Sequence, residues 1–165
     1  MSGRKPRLFD LNDYDESIVE FCKNPRPLWE IVITSIIMSL TGIILAAIMN
    51  QSKDYRAVII ILWLLIPLGS VLYQGCIYPN NQILSCLDTT CVWVIIVIYS
   101  VIFGPIAPWW CWLVAAAAVI MFLVYQFRRW NPENPPTVME YIWLVNSWHI
   151  LTIATMLTMY LSTLD

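Results

Sequence analysis

From Thr89 to Phe127 the chain runs without a single Asp, Glu, Lys or Arg, and that stretch limits what it can fold into more than any other feature. At 1.5 Å per residue, a bilayer's hydrocarbon core of about 30 Å takes roughly 20 helical residues. The stretch is therefore too long for one crossing. It is interrupted once, at Gly104-Pro105-Ile106-Ala107-Pro108. The two prolines remove helical donors and disfavour the helical conformation just before each, which predicts a tight hairpin between two crossings. The same test finds three further apolar spans. The expectation is an all-α integral membrane protein, a five-span helical bundle with crossings at about 28–49, 57–78, 89–105, 109–127 and 139–161. Pro67 and Gly69 should bend the second. Composition agrees, since 59% of residues are hydrophobic and 12% charged, against roughly 45–50% and 25% in soluble domains. No segment alternates as a barrel strand would, and helices are the open-ended elements that satisfy their own backbone in lipid.

Residues 1–27 form a polar N-terminal tail ahead of the transmembrane domain at 28–165. Asp13-Tyr14-Asp15-Glu16 has the spacing of a capping box, so a short amphipathic helix could start there, with Tyr14, Ile18, Phe21 and Cys22 near one face. A polar tail with incidental periodicity is the plainer reading. Asn24-Pro25-Arg26-Pro27 would end such a helix, and Asn131-Pro132-Glu133-Asn134-Pro135-Pro136 is a stiff connector into the last span.

Five crossings put the tail, the 79–88 loop and the 128–137 loop on one side. That side carries Arg4, Lys5, Arg7, Lys23, Arg26, Arg128 and Arg129, against Lys53 and Arg56 on the other. The positive-inside rule then places the N-terminus in the cytoplasm, or in the matrix of a mitochondrion. No cleavable signal or typical presequence is evident, because acids follow the first basic residues. The endoplasmic reticulum is favoured, with the inner mitochondrial membrane as the alternative. Asn50-Gln51-Ser52 is a glycosylation sequon on the outer side and offers a topology test. The cysteines are expected as free thiols, and a single His with no CxxC pair argues against a metal site. The balance of 9 basic and 11 acidic residues excludes nucleic acid as a partner.

Charges within a bilayer mark ion paths and proton relays. Here Glu30 and Glu140 fall at span edges, and no acid or base is expected at the centre of a span. Asn146 and His149 are the intramembrane polar candidates. They lie off the face shared by Ser147, Thr155, Thr158 and Ser162, so the last span lines no pore by itself. Hydroxyls there can bond the preceding turn's carbonyl, and Asn or His can link helices for about 0.6 kcal/mol. Neither a catalytic nor a cofactor-binding residue is expected: GxSxG, HExxH and P-loop motifs are all missing.

Trp148-His149-Ile150-Leu151-Thr152 resembles the histidine-bearing final helix of the alkaline ceramidase family, membrane hydrolases that hold zinc with several histidines. The resemblance covers these five residues. Where that family has a second histidine four positions earlier, this chain has Val145, and the family's other histidines have no counterpart. It implies at most a relative that has lost the metal, and the activity with it.

Packing is what the sequence positively offers. Ser35, Ser39, Gly42 and Ala46 fall within about 60° of one another on the first span, a small-residue groove suited to a close helix approach, within the chain or with a partner. Ala115 to Ala118 thins the fourth span similarly. Trp29, Trp109, Trp110, Trp130 and Trp143 read as interfacial belts, and Trp63 and Trp148 as packing residues. The functional expectation is a non-catalytic accessory or structural subunit of a larger membrane complex, docked through its N-terminal tail. It would contact other integral membrane subunits and membrane lipids. The alternatives are a small transporter or channel with a polar pathway near His149, and a lipid-modifying enzyme.

Overall fold

The computed structural model describes residues 17–48, 53–75, 77, 79–129, 131 and 133–162. The capping-box segment Asp13–Glu16, the Asn50-Gln51-Ser52 sequon, Cys76 and Trp130 lie outside them. Among the described residues six helices follow one another: α1 (Ile18–Phe21), α2 (Trp29–Ile48), α3 (Lys53–Gly69, continued as a π-helical turn over Ser70–Gln74), α4 (Gln82–Phe103), α5 (Trp109–Arg129) and α6 (Val138–Leu161). Five are long and apolar enough to cross a membrane, and no strand occurs among the described residues. The irregularity expected of Pro67 and Gly69 is found immediately after them, as the π turn.

The helix starts follow from local chemistry. Asn81 Oδ1 accepts from the backbone N–H groups of Ile83 and Leu84 at 3.0 and 3.2 Å, so α4 begins at Gln82, not at Thr89. A reading based on uncharged length stopped one residue after Asp88; the cap starts the helix before it. Thr137 and Glu140 form a reciprocal capping box at the head of α6, and Arg128 Nη2 adds a 3.3 Å contact to Glu140 Oε2. Between α4 and α5 the Gly104–Pro108 segment makes the expected hairpin, closed by the N–H groups of Ile106 and Ala107 on the Phe103 carbonyl at 3.0 and 2.7 Å.

In space α6 packs on α5 and α2, α2 on α3, and α3 on α4. The row curls until α4 and α5 meet through the hairpin and through an edge-to-face contact of Trp93 with Phe122 at 6.0 Å. Large apolar side chains cover the outside, among them Ile37, Ile44, Ile61, Leu64, Val97, Leu113 and Ile150. Such faces are compatible with a lipid surround, where acyl chains would solvate outward Leu, Ile and Val.

Of the two readings open for the small-residue face of α2, packing within the chain is the one the described residues display. Ser35, Ser39, Gly42 and Ala46 are all buried inside the chain. Trp63 of α3 lies so close over Gly42 that a Cβ there would overlap its ring. The groove is thus consumed by an intramolecular contact and is not a partner interface. The described end of the tail, from Ser17, packs on its own chain: Ile18 N–H donates to the Pro136 carbonyl at 2.9 Å and, at the head of the first span, Leu28 N–H to the Gly75 carbonyl at 2.9 Å, while Asn80 Nδ2 donates to the Cys22 carbonyl at 3.3 Å. Ile18 and Phe21 are buried beneath it. Helix α1 starts at Ile18 behind Ser17, whose Oγ caps it by accepting from Glu20 N–H at 3.3 Å.

Candidate functional site

The polar side chains gather in the half of the bundle near the N-terminal ends of α2, α4 and α6. Asp88 is seven residues along α4 and only 1% exposed. It can sit there because Gly69 lets α3 and α4 touch at backbone distance: a Cβ on Gly69 would come within 2.8 Å of Asp88 Cβ and 2.9 Å of its Cα. That approach, with the π turn following it, sets Gln74 against the carboxylate. Gln74 Nε2 donates to Asp88 Oδ2 at 2.5 Å, and Ser70 Oγ donates to Gln74 Oε1 at 3.1 Å. Ser70 Oγ also lies 2.8 Å from Ser35 Oγ and 3.4 Å from His149 Nε2. His149 is fully buried, about 17 Å along α6 by its register.

On the other ring face Thr34 Oγ1 lies 2.9 Å from His149 Nδ1, 2.7 Å from Asn146 Oδ1 and 3.1 Å from the Ile31 carbonyl. One hydroxyl proton cannot serve three acceptors, and the Asn146 and Ile31 oxygens can only accept, so the His149 Nδ1–H is the group that can donate to Thr34. Ser70 has the same shortage, with one proton shared among Gln74, Ser35 and His149. The sequence candidates Asn146 and His149 are therefore brought together through Thr34. The hydroxyls on the rest of α6 behave as expected, with Thr152, Thr155, Thr158 and Ser162 each donating to a carbonyl of their own helix at 2.7–3.0 Å.

A second cluster joins this centre nearer the helix ends. Arg129 donates to the hydroxyls of Tyr125 at 2.8 Å and Tyr141 at 2.7 Å, and its guanidinium lies 4.2 Å from the Tyr73 ring centroid. Tyr141 in turn donates to the Gln74 carbonyl at 3.1 Å. From Arg129 to Asn146 the chain has a continuous polar core linking α2, α3, α4, α5 and α6, and Asp88 is within the electrostatic reach of Arg129.

Sequence reasoning missed Thr34, Ser70, Gln74, Asp88, Arg129 and Tyr141 as one set. The available signal was the short connection between Gln74 and Asp88, which makes α3 and α4 antiparallel neighbours. Asp88, expected in the 79–88 loop, lies instead inside α4, in its second turn. Its carboxyl group is accommodated there because Gln74 supplies a donor to Oδ2, although Oδ1 has no hydrogen-bond partner among the described residues.

Chemically the centre is poor in metal ligands and nucleophiles. It offers one imidazole and one carboxylate, and no group of three His, Cys, Asp or Glu occurs among the described residues. Zinc needs three or four such ligands. Cys22, Cys86, Cys91 and Cys111 are thiols rather than half-cystines. The Ser70–His149 approach is long for a nucleophile and its base, and Thr34, not a carboxylate, orients the ring. Ser35, Ser70, Gln74 and His149 have no accessible surface.

The opposite half differs. Between α4 and α5, towards the hairpin, lies a cavity of about 400 Å³ with walls from all five long helices. Trp148 separates it from the polar centre, its ring 4.8 Å from that of His149 and 5.1 Å from that of Phe122. No family model, curated protein or solved structure matches this chain.

Proposed function

We propose that the chain is a non-catalytic, multi-pass membrane protein that works by packing, as an accessory or structural subunit of a larger integral membrane assembly. The observation that carries this reading is the buried polar centre. Its hydrogen bonds run between helices and, apart from Asp88 Oδ1, end on one another, which ties five helices together and leaves the outer faces for contact. Of those faces α5 is the least covered by its own chain, with 22% of its apolar window buried, and it is the surface we assign to a neighbouring subunit. Arg26, Arg128 and Arg129 at the end shared with the N-terminus favour a cytoplasmic or matrix location for that end. The endoplasmic reticulum is the proposed membrane, and the mitochondrial inner membrane the alternative. Purification of the tagged protein in mild detergent tests the proposal. Stoichiometric co-purification of other integral membrane proteins is expected, and a lone monodisperse monomer would contradict it.

A second reading, a small transporter with a path through Asn146 and His149, draws on the unpartnered Oδ1 of Asp88, since intramembrane carboxylates commonly carry protons or cations. Flux into proteoliposomes that vanishes in both Asp88→Asn and His149→Ala would favour it.

A further inference from the structure

The polar centre has more acceptors than protons. Around Ser70 Oγ stand Ser35 Oγ at 2.8 Å, Gln74 Oε1 at 3.1 Å and His149 Nε2 at 3.4 Å. His149 adds no proton there, since its Nδ1–H serves Thr34 and the other ring nitrogen is then an acceptor. Ser35 directs its own proton to Ser70 or to the Ile31 carbonyl at 2.7 Å. Even when Ser35 donates to Ser70, the single Ser70 proton must choose between Gln74 and His149. Asp88 Oδ1, also buried, has no donor among the described residues. Such a surplus of lone pairs calls for positive charge. A metal cation must sit between its oxygens, whereas here the oxygens lie within hydrogen-bond distance of one another. A proton needs no such room.

One added proton removes the shortage. The two ends of a Gln amide have the same shape, so its partners decide which end is the oxygen. With Nε2 on Asp88 Oδ2 the Gln74 side chain suits an ionised carboxylate. Turned over, it places Oε1 2.5 Å from Asp88 Oδ2 and Nε2 3.1 Å from Ser70 Oγ. The first distance suits an O–H···O bond from a protonated Asp88 better than an N–H···O bond, and the second suits N–H···O. Donors then run one way, from Asp88 to Gln74, Ser70, His149, Thr34 and finally Asn146 Oδ1, with Ser35 donating to Ser70. The other titratable groups facing Asp88 are Cys91 on α4 and Arg129 and Tyr125 on α5. Behind Arg129 stand Tyr73 of the π turn and Tyr141 of α6, and α2 contributes the hydroxyls of Thr34 and Ser35. Those tyrosines hold the Arg129 charge in place when Asp88 is neutral.

We propose that the polar centre is a binding site for one proton, taken up from water at Asp88 Oδ2 as the Gln74 amide turns over to accept it. The site gives the interhelical contacts a chemical input, and it stands with or without neighbouring subunits. The test is infrared spectroscopy of the full chain in phosphatidylcholine vesicles. At neutral pH exposed carboxyl groups, with ordinary values of about 4, are ionised, so the C=O stretch of a carboxylic acid singles out a buried one. The expected band amounts to one acid per chain, shifts on isotope labelling of aspartate, vanishes in Asp88→Asn and gives way to carboxylate bands in alkaline buffer. Stability in detergent should fall as pH rises through that change, because the folded chain holds a proton that the unfolded chain has released, and the fall should be severalfold smaller in Asp88→Asn. Should that variant fail to fold, the aspartate-labelled native sequence supplies the same assignment. No acid band at neutral pH, or one that survives in Asp88→Asn or ignores the aspartate label, would overturn the proposal. A titration that moves with sodium concentration would overturn it too, in favour of a metal cation. None of these results bears on the subunit reading, which co-purification decides.

Discussion

The two halves of this bundle solve opposite packing problems. Near the N-terminal ends of α2, α4 and α6, Gly69 draws α3 and α4 together until Asp88, Gln74, Ser70 and His149 fill the interior and hydrogen-bond to one another. Towards the hairpin, α4 and α5 enclose a cavity of about 400 Å³ walled almost wholly by hydrocarbon. Helices in lipid gain little from burying apolar surface, so close contact and interhelical hydrogen bonds must hold them. The polar half supplies that attachment. The hollow half can stay hollow because it is not what keeps the helices in register.

Variants that strike the filled half should therefore cost more than those that strike the hollow one, as read by denaturation in detergent micelles. The largest loss is expected for Gln74→Leu, about 3 kcal/mol, because it strips the donor from a buried carboxylate. Asp88→Asn should cost under about 1 kcal/mol, since its amide can still pair with Gln74. Gly69→Ala follows Gln74→Leu at about 2–3 kcal/mol, as its new methyl meets Asp88 backbone that cannot retreat. His149→Ala should lose about 2 kcal/mol by leaving Thr34 and Ser70 short of partners. Gly42→Ala should also cost about 2 kcal/mol, because its new methyl would overlap the inner atoms of the buried Trp63 ring. Smallest of all, Ala118→Leu at the cavity wall should change stability by less than about 0.5 kcal/mol. Equal losses for Gly69→Ala and Ala118→Leu would erase the distinction between the halves.

Much of this frame was legible in the sequence. Uncharged length and the Gly104–Pro108 break locate five helices, because the backbone's need for internal hydrogen bonds leaves an apolar chain few options. Trp63 and Trp148 are buried as expected, and Trp29, Trp109 and Trp143 are at least half exposed. The polar centre was not legible, for a specific reason. A hydropathy window treats Asp88 as a boundary, whereas its place is set by Asn81 capping α4 upstream and by Gly69 across the interface. Those are tertiary facts that no single window contains. Likewise the small-residue face of α2 is evident from its spacing, but its occupant, the Trp63 ring, becomes known only when α3 is laid against it.

Because the chain contains one histidine, the claim that its polar centre is sealed reduces to a single reactive group. Diethyl pyrocarbonate should leave His149 unmodified in intact native membranes over times that fully modify a free imidazole, and should react with it only after the protein is unfolded. Modification of the native protein at close to the free-imidazole rate would mean that solvent reaches the centre, and the account of it as a closed interhelical lock would be wrong.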